Sequence, residues 1–247
     1  AHLLLQIPLT QPLPALDVRL GTTRGTNALL TRRGATVGLV TTRGFGDCLD
    51  IGEQNRPDLF ALRIRKREPL TRHVLEVDER LAASGDVLRA LDAESLRQPL
   101  TQWFAEGITS LAICLLHAHV NDRHEMMIAQ LAREIGFTNI SVSSSVAPMI
   151  KLVSRAETTV LDAYPTPVVA DYVTTLERQF NGDDGGGQDT PLSQRTRLRL
   201  MTSAGNLVDA ESFRGADSIL SGPAGGVVAL GKIADAYAPK GAIGLDM

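Results

Sequence analysis

The chain has 247 residues, of which 43% are hydrophobic and only 4% aromatic, with a formal net charge of −3 and a pI near 6.0. The scarcity of aromatic side chains and the slightly acidic charge argue against nucleic acid or an anionic membrane surface as a partner. No apolar run approaches the roughly 20 residues that span a bilayer, and the Leu3–Leu5 patch is too short for a secretory signal.

The first third of the chain predicts short elements after an irregular lead-in over residues 1–17 that contains three prolines. Val18–Gly21 is typical of a strand end. The helix predicted next, Thr26–Arg33, stops at a glycine, and Ala35–Thr41 is an apolar, β-branched strand. Arg43–Ile51 predicts one or two helical turns. His73–Leu81 alternates apolar and charged residues, which favours an exposed strand.

The middle of the chain alternates strands and helices, an order that predicts an α/β protein with mixed, partly parallel sheets flanked by helices. The predicted elements are a helix capped by Asp92 that runs to Phe104, a buried strand Ser110–Leu116, a helix from Asn121 or Asp122 to Ile135, and a strand Asn139–Ser143. Cys114 falls inside the buried strand. With Cys48 as the other cysteine, no disulfide framework is indicated, and a reduced, cytoplasmic setting is expected.

The last third predicts a helical segment from about Ser154 to Phe180, broken by Pro165 and Pro167, and then a mobile Gly/Asp-rich loop, Asn181–Gln188. A strand, Leu198–Thr202, and a short helical turn, Ala210–Phe213, follow. The predicted end of the chain is a loop Ser221–Gly226, a helix Val227–Ala236 and a buried strand Ala242–Met247.

The C-terminal strand prediction suggests a nucleotide site. A strand that ends in an aspartate and continues into Gly-Gly-Thr places a carboxylate near magnesium and aims backbone N–H groups at phosphates. Asp246 occupies the aspartate position, and the chain ends one residue later. Residue 1 is alanine rather than methionine. These observations lead us to expect a piece of a larger enzyme that is inactive by itself.

Six blocks, in this order and spacing, resemble the hydantoinase A/oxoprolinase family. The blocks are Gly21–Leu30, Val40–Asp47, Ile51–Phe60, Glu76–Arg80, Leu115–His117 and Leu220–Val228. The resemblance runs from about Val18 to Met247. It implies three regions: the lead-in 1–17, an N-terminal hydantoinase/oxoprolinase α/β region 18–150, and the start of a hydantoinase A region, 151–247, that stops at the second phosphate loop.

The resemblance implies an actin-like, ribonuclease-H-like ATPase fold and an ATP- and Mg²⁺-dependent hydrolase that opens cyclic amides. ATP would phosphorylate the amide oxygen of 5-oxoproline or a hydantoin, and water would then cleave the C–N bond. A hydantoinase B-type subunit or fused domain is the implied partner, while homo-oligomerisation is left open. Two alternatives remain: an ATP-dependent acetone or acetophenone carboxylase subunit, and a non-catalytic scaffold module.

Nucleotide-site candidates come from two helix starts and the C-terminal aspartate. The resemblance assigns nucleotide binding to Thr22, Thr23, Asn27, Ser221, Gly222, Gly225 and Gly226, and a catalytic, Mg²⁺-holding role through water to Asp246. Simple helix capping and close glycine packing are the alternative explanations for the residues of the two helix starts, and an ordinary aspartate at a strand end is the alternative for Asp246.

Substrate-binding candidates form a polar cluster after the second predicted strand, together with one histidine. They are Arg43, Asp47, Gln54, Arg56 and His117. Arginine suits a carboxylate-bearing lactam because its guanidinium binds carboxylates in a bidentate manner. His117, His119 and His124 also raise a metal hypothesis, with the first two rings on one side of an extended segment. That hypothesis is weaker, because no acidic or thiol ligand completes a zinc pattern.

Overall fold

A computed structural model of the chain describes residues 6–8, 14–54, 60, 66, 68–181, 196–237 and 241–244. It divides into two compact units, one formed by residues 1–32 with 168–247 and the other by residues 33–167. The mixed α/β class with parallel strands is confirmed. The three predicted regions are defined by family resemblance and not by compactness, so this division does not test them and they stay a prediction.

The larger unit is built on a four-stranded sheet in the order β3-β2-β6-β7, in which every neighbouring pair is parallel. The strands are β2 Val37–Thr42, β3 His73–Val77, β6 Ser110–Cys114 and β7 Asn139–Val142. A two-stranded antiparallel ribbon, β4 Arg80–Leu81 with β5 Val87–Arg89, follows β3. The single strand predicted over 73–81 is therefore two strands, separated at Asp78 and Glu79.

Helices of the larger unit cover the sheet. They are α2 Cys48–Ile51, α3 Arg97–Ala105, α4 Arg123–Ile135, α5 Ser143–Val146 and α6 Leu152–Ala163, with a 3₁₀ turn Glu94–Leu96 before α3. The predicted helix beginning near Asp92 thus starts as a 3₁₀ turn. The predicted break at Pro165 separates α6 from α7, Thr166–Asn181, and the predicted loop that follows lies outside the described residues from position 182 onward.

Strand β6 shows why this sheet is sandwiched between helices. All of its residues are buried, so both faces need apolar or satisfied partners. Leu111 and Ile113 belong to the main hydrophobic cluster together with Ile128 of α4. On the alternate positions, the Ser110 hydroxyl donates to the Ala163 carbonyl of α6 at 2.7 Å. The period-2 alternation therefore assigns the two faces of β6 to two helices.

The smaller unit contains β1 Asp17–Leu20, parallel to β8 Arg197–Met201, which in turn pairs antiparallel with β9 Leu207–Asp209. Its helices are α1 Arg24–Leu30, the second part of α7, and α8 Ser221–Tyr237, with 3₁₀ turns at Ala210–Ser212 and Ala216–Ser218. Its core contains Val169 and Val173 of α7 and Leu198 and Leu200 of β8.

Two predictions for the end of the chain are wrong in the described residues. The predicted loop Ser221–Gly226 forms the first turns of α8. Pro223 is compatible with that position because N–H groups of a first helical turn have no acceptor within the helix. Residues 241–244 are exposed and form no strand. A strand requires a hydrogen-bonded neighbour, and no described strand pairs with them.

Candidate functional site

The carboxyl ends of β2, β3, β6 and β7 lie at one edge of the parallel sheet, the edge where α/β proteins place ligands. Buried polar side chains collect at this edge: Thr42 ends β2, Glu79 follows β3, and Ser143 follows β7. Glu125 and His124 of α4 and Arg155 of α6 are buried beside them. We call this set, together with the turn Leu115–His119 after β6, the edge cluster.

Glu79 is the first carboxylate of the edge cluster. Its Oε1 accepts a hydrogen bond from the Thr42 hydroxyl, and its Oε2 lies 2.7 Å from Nδ1 of His124. The Thr42 oxygen in turn accepts the Leu116 N–H at 2.9 Å. A carboxylate accepts only, so His124 carries its proton on Nδ1. This chain of bonds ties the ends of β2, β3 and β6 to the start of α4.

Glu125 is the second carboxylate, and its partners are hydrogen-bond donors from three segments. Oε1 accepts the Leu115 N–H at 2.9 Å and the Ser143 hydroxyl at 2.5 Å, and Oε2 accepts the Ser144 N–H at 3.0 Å. Burial raises the pKa of Glu125, while these donors oppose the rise. The glutamate thus satisfies backbone groups that the end of the sheet leaves without partners.

Arg155 is fully buried at 0% exposure and makes its hydrogen bonds to uncharged acceptors. Nη1 donates to the Met149 carbonyl at 2.7 Å and lies 3.0 Å from Nδ1 of His119, and Nη2 donates to the Leu115 carbonyl. Its Nε has no partner among the residues that the structure describes. A buried guanidinium held by neutral groups keeps its positive charge beside the turn after β6.

His117 and His119 stand on that turn, with ring centroids 6.2 Å apart. His117 adopts φ of 60°, in the left-handed region that non-glycine residues rarely occupy, so the extended geometry expected for the pair is wrong. Burial, Arg155 and His117 lower the pKa of His119, in that order. Across the described ranges, no His, Cys, Asp and Glu cluster suited to a metal ion is found.

Predicted substrate residue Arg43 lies at the same sheet edge, in an exposed cluster. Asp78 forms ion pairs with Arg43 at 3.5 Å and with Arg89 at 2.5 Å, and Arg80 donates to the Arg43 carbonyl at 3.0 Å. Hydrogen bonding to Arg89 lowers the pKa of Asp78. These residues line a depression of about 240 Å³. Its lining has three arginines and two carboxyl groups, Asp78 and the buried Glu79, so cationic groups are in excess and its chemistry suits an anion.

The other predicted substrate residues are more scattered. Asp47 precedes α2 and is exposed, with no side-chain capping bond. Gln54 is exposed with φ of 56°. Arg56 lies outside the described residues. Both cysteines are buried, and burial raises the thiol pKa of Cys48 to about 11 and of Cys114 to about 12, so both thiols stay protonated at neutral pH.

The predicted nucleotide residues of the smaller unit come together although they are about 200 positions apart. The buried Ser221 hydroxyl donates to the Thr22 carbonyl at 2.7 Å, and the Leu220 N–H donates to the Thr26 hydroxyl at 3.0 Å. A Cβ on Gly222 would lie 3.4 Å from the Thr23 methyl group. We call this contact between the start of α1 and the start of α8 the helix-start junction.

The remaining nucleotide candidates lie around this junction. Asn27 Nδ2 lies 3.4 Å from the Thr23 hydroxyl. Gly225 lines a depression of about 500 Å³ whose basic residues are Arg19 and Lys232. Among the residues that the structure describes, nothing lies within 4 Å of where a Cβ on Gly226 would be. Asp246 lies outside the described residues, so its catalytic and metal roles stay predictions.

Sequence reasoning did not single out Glu79, Glu125, His119 or Arg155 as one cluster. A signal was present, because Glu125 and Arg155 stand on the apolar faces of their helices, where an unpaired charge is costly. The spacing along the chain, however, carries no information on which carboxylate meets which donor.

Comparison with known proteins assigns both parts of the chain. The Hydantoinase/oxoprolinase N-terminal region matches residues 11–136, and Hydantoinase/oxoprolinase matches residues 155–247. The 5-oxoprolinase of Saccharomyces cerevisiae is 38% identical over 86% of this chain and 18% of its own length. The acetophenone carboxylase gamma subunit of Aromatoleum aromaticum is 32% identical over 72% of this chain and 25% of its own.

Two solved structures share the fold. A nucleotide-free acetone carboxylase superposes with a TM-score of 0.74 at 21% identity, covering 89% of this chain and 32% of its own. An ATP-dependent caprolactamase from Pseudomonas jessenii superposes with a TM-score of 0.71 at 23% identity, covering 88% and 31%. The chain spans about a fifth of the length of the curated 5-oxoprolinase relatives that it matches.

Proposed function

The chain belongs to the hydantoinase/oxoprolinase family, and we propose that it serves an ATP-dependent enzyme that opens a cyclic amide, with 5-oxoproline as the first candidate substrate. The observation that carries this proposal is the 38% identity to a 5-oxoprolinase over 86% of the chain. Among the described residues, no helix is both long and apolar enough to cross a membrane.

The carbonyl carbon of a cyclic amide is a poor electrophile, and in the proposed reaction ATP activates it. Transfer of the γ-phosphoryl group of ATP to the amide oxygen releases ADP and turns that oxygen into part of a leaving group. Water then adds to the carbon, and cleavage of the C–N bond releases the ring nitrogen as an amine and leaves an acyl phosphate. A second water hydrolyses the acyl phosphate, which gives phosphate and the open-chain amino acid. For 5-oxoproline the product is glutamate, and one ATP is consumed for each ring opened.

Residues at the carboxyl edge of the larger unit support the substrate part of the proposal. We assign the substrate carboxylate to the arginine-lined depression at Arg43, and a lining role to His117. Asp47, Gln54 and Arg56 are further proposed substrate-binding residues. The three arginines of the lining outnumber its two carboxyl groups, Asp78 and Glu79, and this excess positive charge favours a carboxylate.

The nucleotide part of the proposal rests on the helix-start junction. We assign phosphate contacts first to the exposed residues Thr23 and Gly226, because a Cβ on Gly226 would meet nothing within 4 Å among the described residues. Gly222 and Gly225 already lie against Thr23 and Met201. The hydroxyl of Ser221 and the carbonyl of Thr22 already bond to each other, so their contribution is to hold the two helix starts together. Mg²⁺ is assigned to Asp246 alone, and no described cluster of ligands supports a further metal site.

The partner that we propose is a hydantoinase B-type subunit or domain, and the proposed compartment is the cytoplasm. A second candidate function, ATP-dependent carboxylation of a ketone, is favoured by the 32% identity to an acetophenone carboxylase subunit. In that case ATP would activate a ketone or bicarbonate in place of the lactam.

The test is phosphate release from ATP by the protein at its natural length, with its B component, in the presence of 5-oxoproline, hydantoin, or a ketone with bicarbonate. We expect stimulation by 5-oxoproline with glutamate formed in equal amount. Stimulation by the ketone alone would move the protein to the carboxylase branch. Phosphate release unaffected by every compound would contradict both functions and favour a scaffold role.

A further inference from the structure

The ring of His119 is held between a buried cation and a second histidine. Arg155 Nη1 lies 3.0 Å from Nδ1 of His119, and the His117 ring centroid lies 6.2 Å away. The same guanidinium is fixed by two backbone carbonyls, those of Leu115 and Met149. His119 itself is half-buried, so a ligand can still reach part of its ring.

The tautomer of His119 is fixed because the group beside its Nδ1 atom is the guanidinium of Arg155. A guanidinium donates and never accepts, and it does not lose its proton in proteins. Nδ1 of His119 is therefore the acceptor, and the neutral ring carries its proton on Nε2. Within the described part of the chain, the only side-chain hydrogen bond of His119 is the one from Arg155 to Nδ1, and His117 has none. The Nε2–H group is thus a donor without an acceptor.

The electrostatic surroundings select the class of acceptor. The charge of Arg155 is buried and its acceptors are uncharged, so it favours negative charge on the far side of the imidazole. Burial, the charge of Arg155 and His117 together keep the pKa of His119 below its usual value, so the ring stays a neutral donor at pH 7. Neutral N–H groups bind anionic oxygens more strongly than neutral ones.

We propose that His119 donates its Nε2–H to a carboxylate oxygen of the substrate, with Arg155 as the positioning residue that sets its tautomer. The inference rests on the proposed function for the identity of the carboxylate, which is that of 5-oxoproline. It adds His119 to the proposed substrate-binding residues at this sheet edge. It also gives a reason for a buried guanidinium that forms no ion pair with a carboxylate in the described part of the chain.

Substituting His119 with asparagine or glutamine tests the roles of its two ring nitrogens separately. In His119→Asn the short side chain places its oxygen near the position of Nδ1, where it still accepts from Arg155, but no outward donor remains. In His119→Gln the longer side chain places its amide near the position of Nε2, where its NH₂ donates, but Arg155 loses an acceptor. If His119 has only a structural role, His119→Gln should be the more harmful substitution. If His119 contacts the substrate, His119→Asn should be the more harmful one for substrate binding.

The kinetic measurement uses the natural-length protein with 5-oxoproline. We expect His119→Asn to raise KM roughly 10- to 100-fold, the range of a hydrogen bond to a charged group, with kcat and the melting temperature near those of the wild type. His119→Gln should keep KM within a few-fold and melt at a lower temperature. The substrate contact would be overturned if His119→Asn lowered kcat without changing KM. It would also be overturned if KM rose in each variant in proportion to the fall in its melting temperature.

A second readout does not depend on activity. The 247-residue chain is labelled with ¹⁵N-histidine and studied by NMR, and the ring signals that disappear in His119→Asn are those of His119. We expect the Nε2–H tautomer in the wild type and a mixture of tautomers in Arg155→Lys. An Nδ1–H ring in the wild type would refute the positioning role even for an active enzyme. If 5-oxoproline does not stimulate ATP hydrolysis by the wild type, the proposed function and the substrate contact both fail, while the tautomer result still stands or falls by itself.

Discussion

The edge cluster and the helix-start junction are both places where distant segments meet, but polar groups have different tasks in them. At the edge cluster, two carboxylates and a guanidinium are buried and bonded to groups from several strands and helices. At the helix-start junction, one buried hydroxyl and one exposed hydroxyl join two helix starts that consist mostly of small residues. Buried charges make the first region rigid and costly to alter, whereas small residues leave the second open to close approach of a ligand.

The largest effect is expected at Glu125. Replacing it with leucine leaves the Leu115 and Ser144 N–H groups and the Ser143 hydroxyl without their acceptor, at a cost of about 3–5 kcal/mol. Chemical denaturation of the 247-residue chain measures this loss. A change below about 1 kcal/mol would mean that water replaces the carboxylate and that the edge cluster is not rigid.

The pH dependence of the same site follows from the raised pKa of Glu125. A carboxyl whose pKa is higher in the folded state binds its proton more tightly there. Its contribution is therefore complete below the ordinary value of 4.5 and declines as pH rises through the raised value. We expect the stability advantage of the wild type over Glu125→Gln to shrink above pH 4.5, as followed by urea unfolding at several pH values. An advantage that grows with pH would contradict this.

The next effect is expected at Arg155. Arg155→Met preserves much of the side-chain volume but leaves the Leu115 and Met149 carbonyls without a donor, and we expect a loss of about 2–4 kcal/mol. Arg155→Lys, which keeps the charge, is the matched control and should lose less. Equal stability of wild type and Arg155→Met, measured by thermal and urea unfolding, would show that the guanidinium does not organise the turn after β6.

A smaller effect is expected at the helix-start junction. Ser221→Ala removes the buried hydroxyl that donates to the Thr22 carbonyl and should cost about 1 kcal/mol. Thr175→Ala, which removes an exposed hydroxyl bonded within its own helix, is the control and should stay within about 0.5 kcal/mol of the wild type. If Ser221→Ala also stays within that range, the hydroxyl does not join the two segments.

The smallest effect on stability is expected at the surface arginines. Arg43→Ala breaks an exposed ion pair with Asp78 and should leave the unfolding midpoint of the chain unchanged, because solvent screens such pairs. The KM of the natural-length protein for 5-oxoproline should nevertheless rise. Arg72→Ala, at another exposed ion pair, is the control that should change neither. An unchanged KM in Arg43→Ala would remove this depression from the proposed substrate site.

The periodic parts of the fold could be predicted from the sequence. The buried strand at 110–116 and the helix ending at Ile135 are found within two residues of their predicted positions, because their apolar patterns are long and Gly136 marks a clear stop. For the glycine-rich segment Ser221–Gly226 the sequence predicts a loop, because glycine and proline disfavour helix interiors. Tertiary bonds to Thr22 and Thr26 stabilise it as a helix start despite this propensity.

The sequence by itself determined the α/β class, the parallel strands and the family, because ordered motifs and hydrophobic periodicity are properties of the chain alone. Only the tertiary structure decided that Glu125 bonds to the end of β6, that Arg155 faces His119, and that Ser221 meets Thr22. Such contacts depend on the register of strands and on which helix face packs on which sheet. The energy of a buried polar group is set by its partners in space, and neither its residue type nor its position along the chain names them.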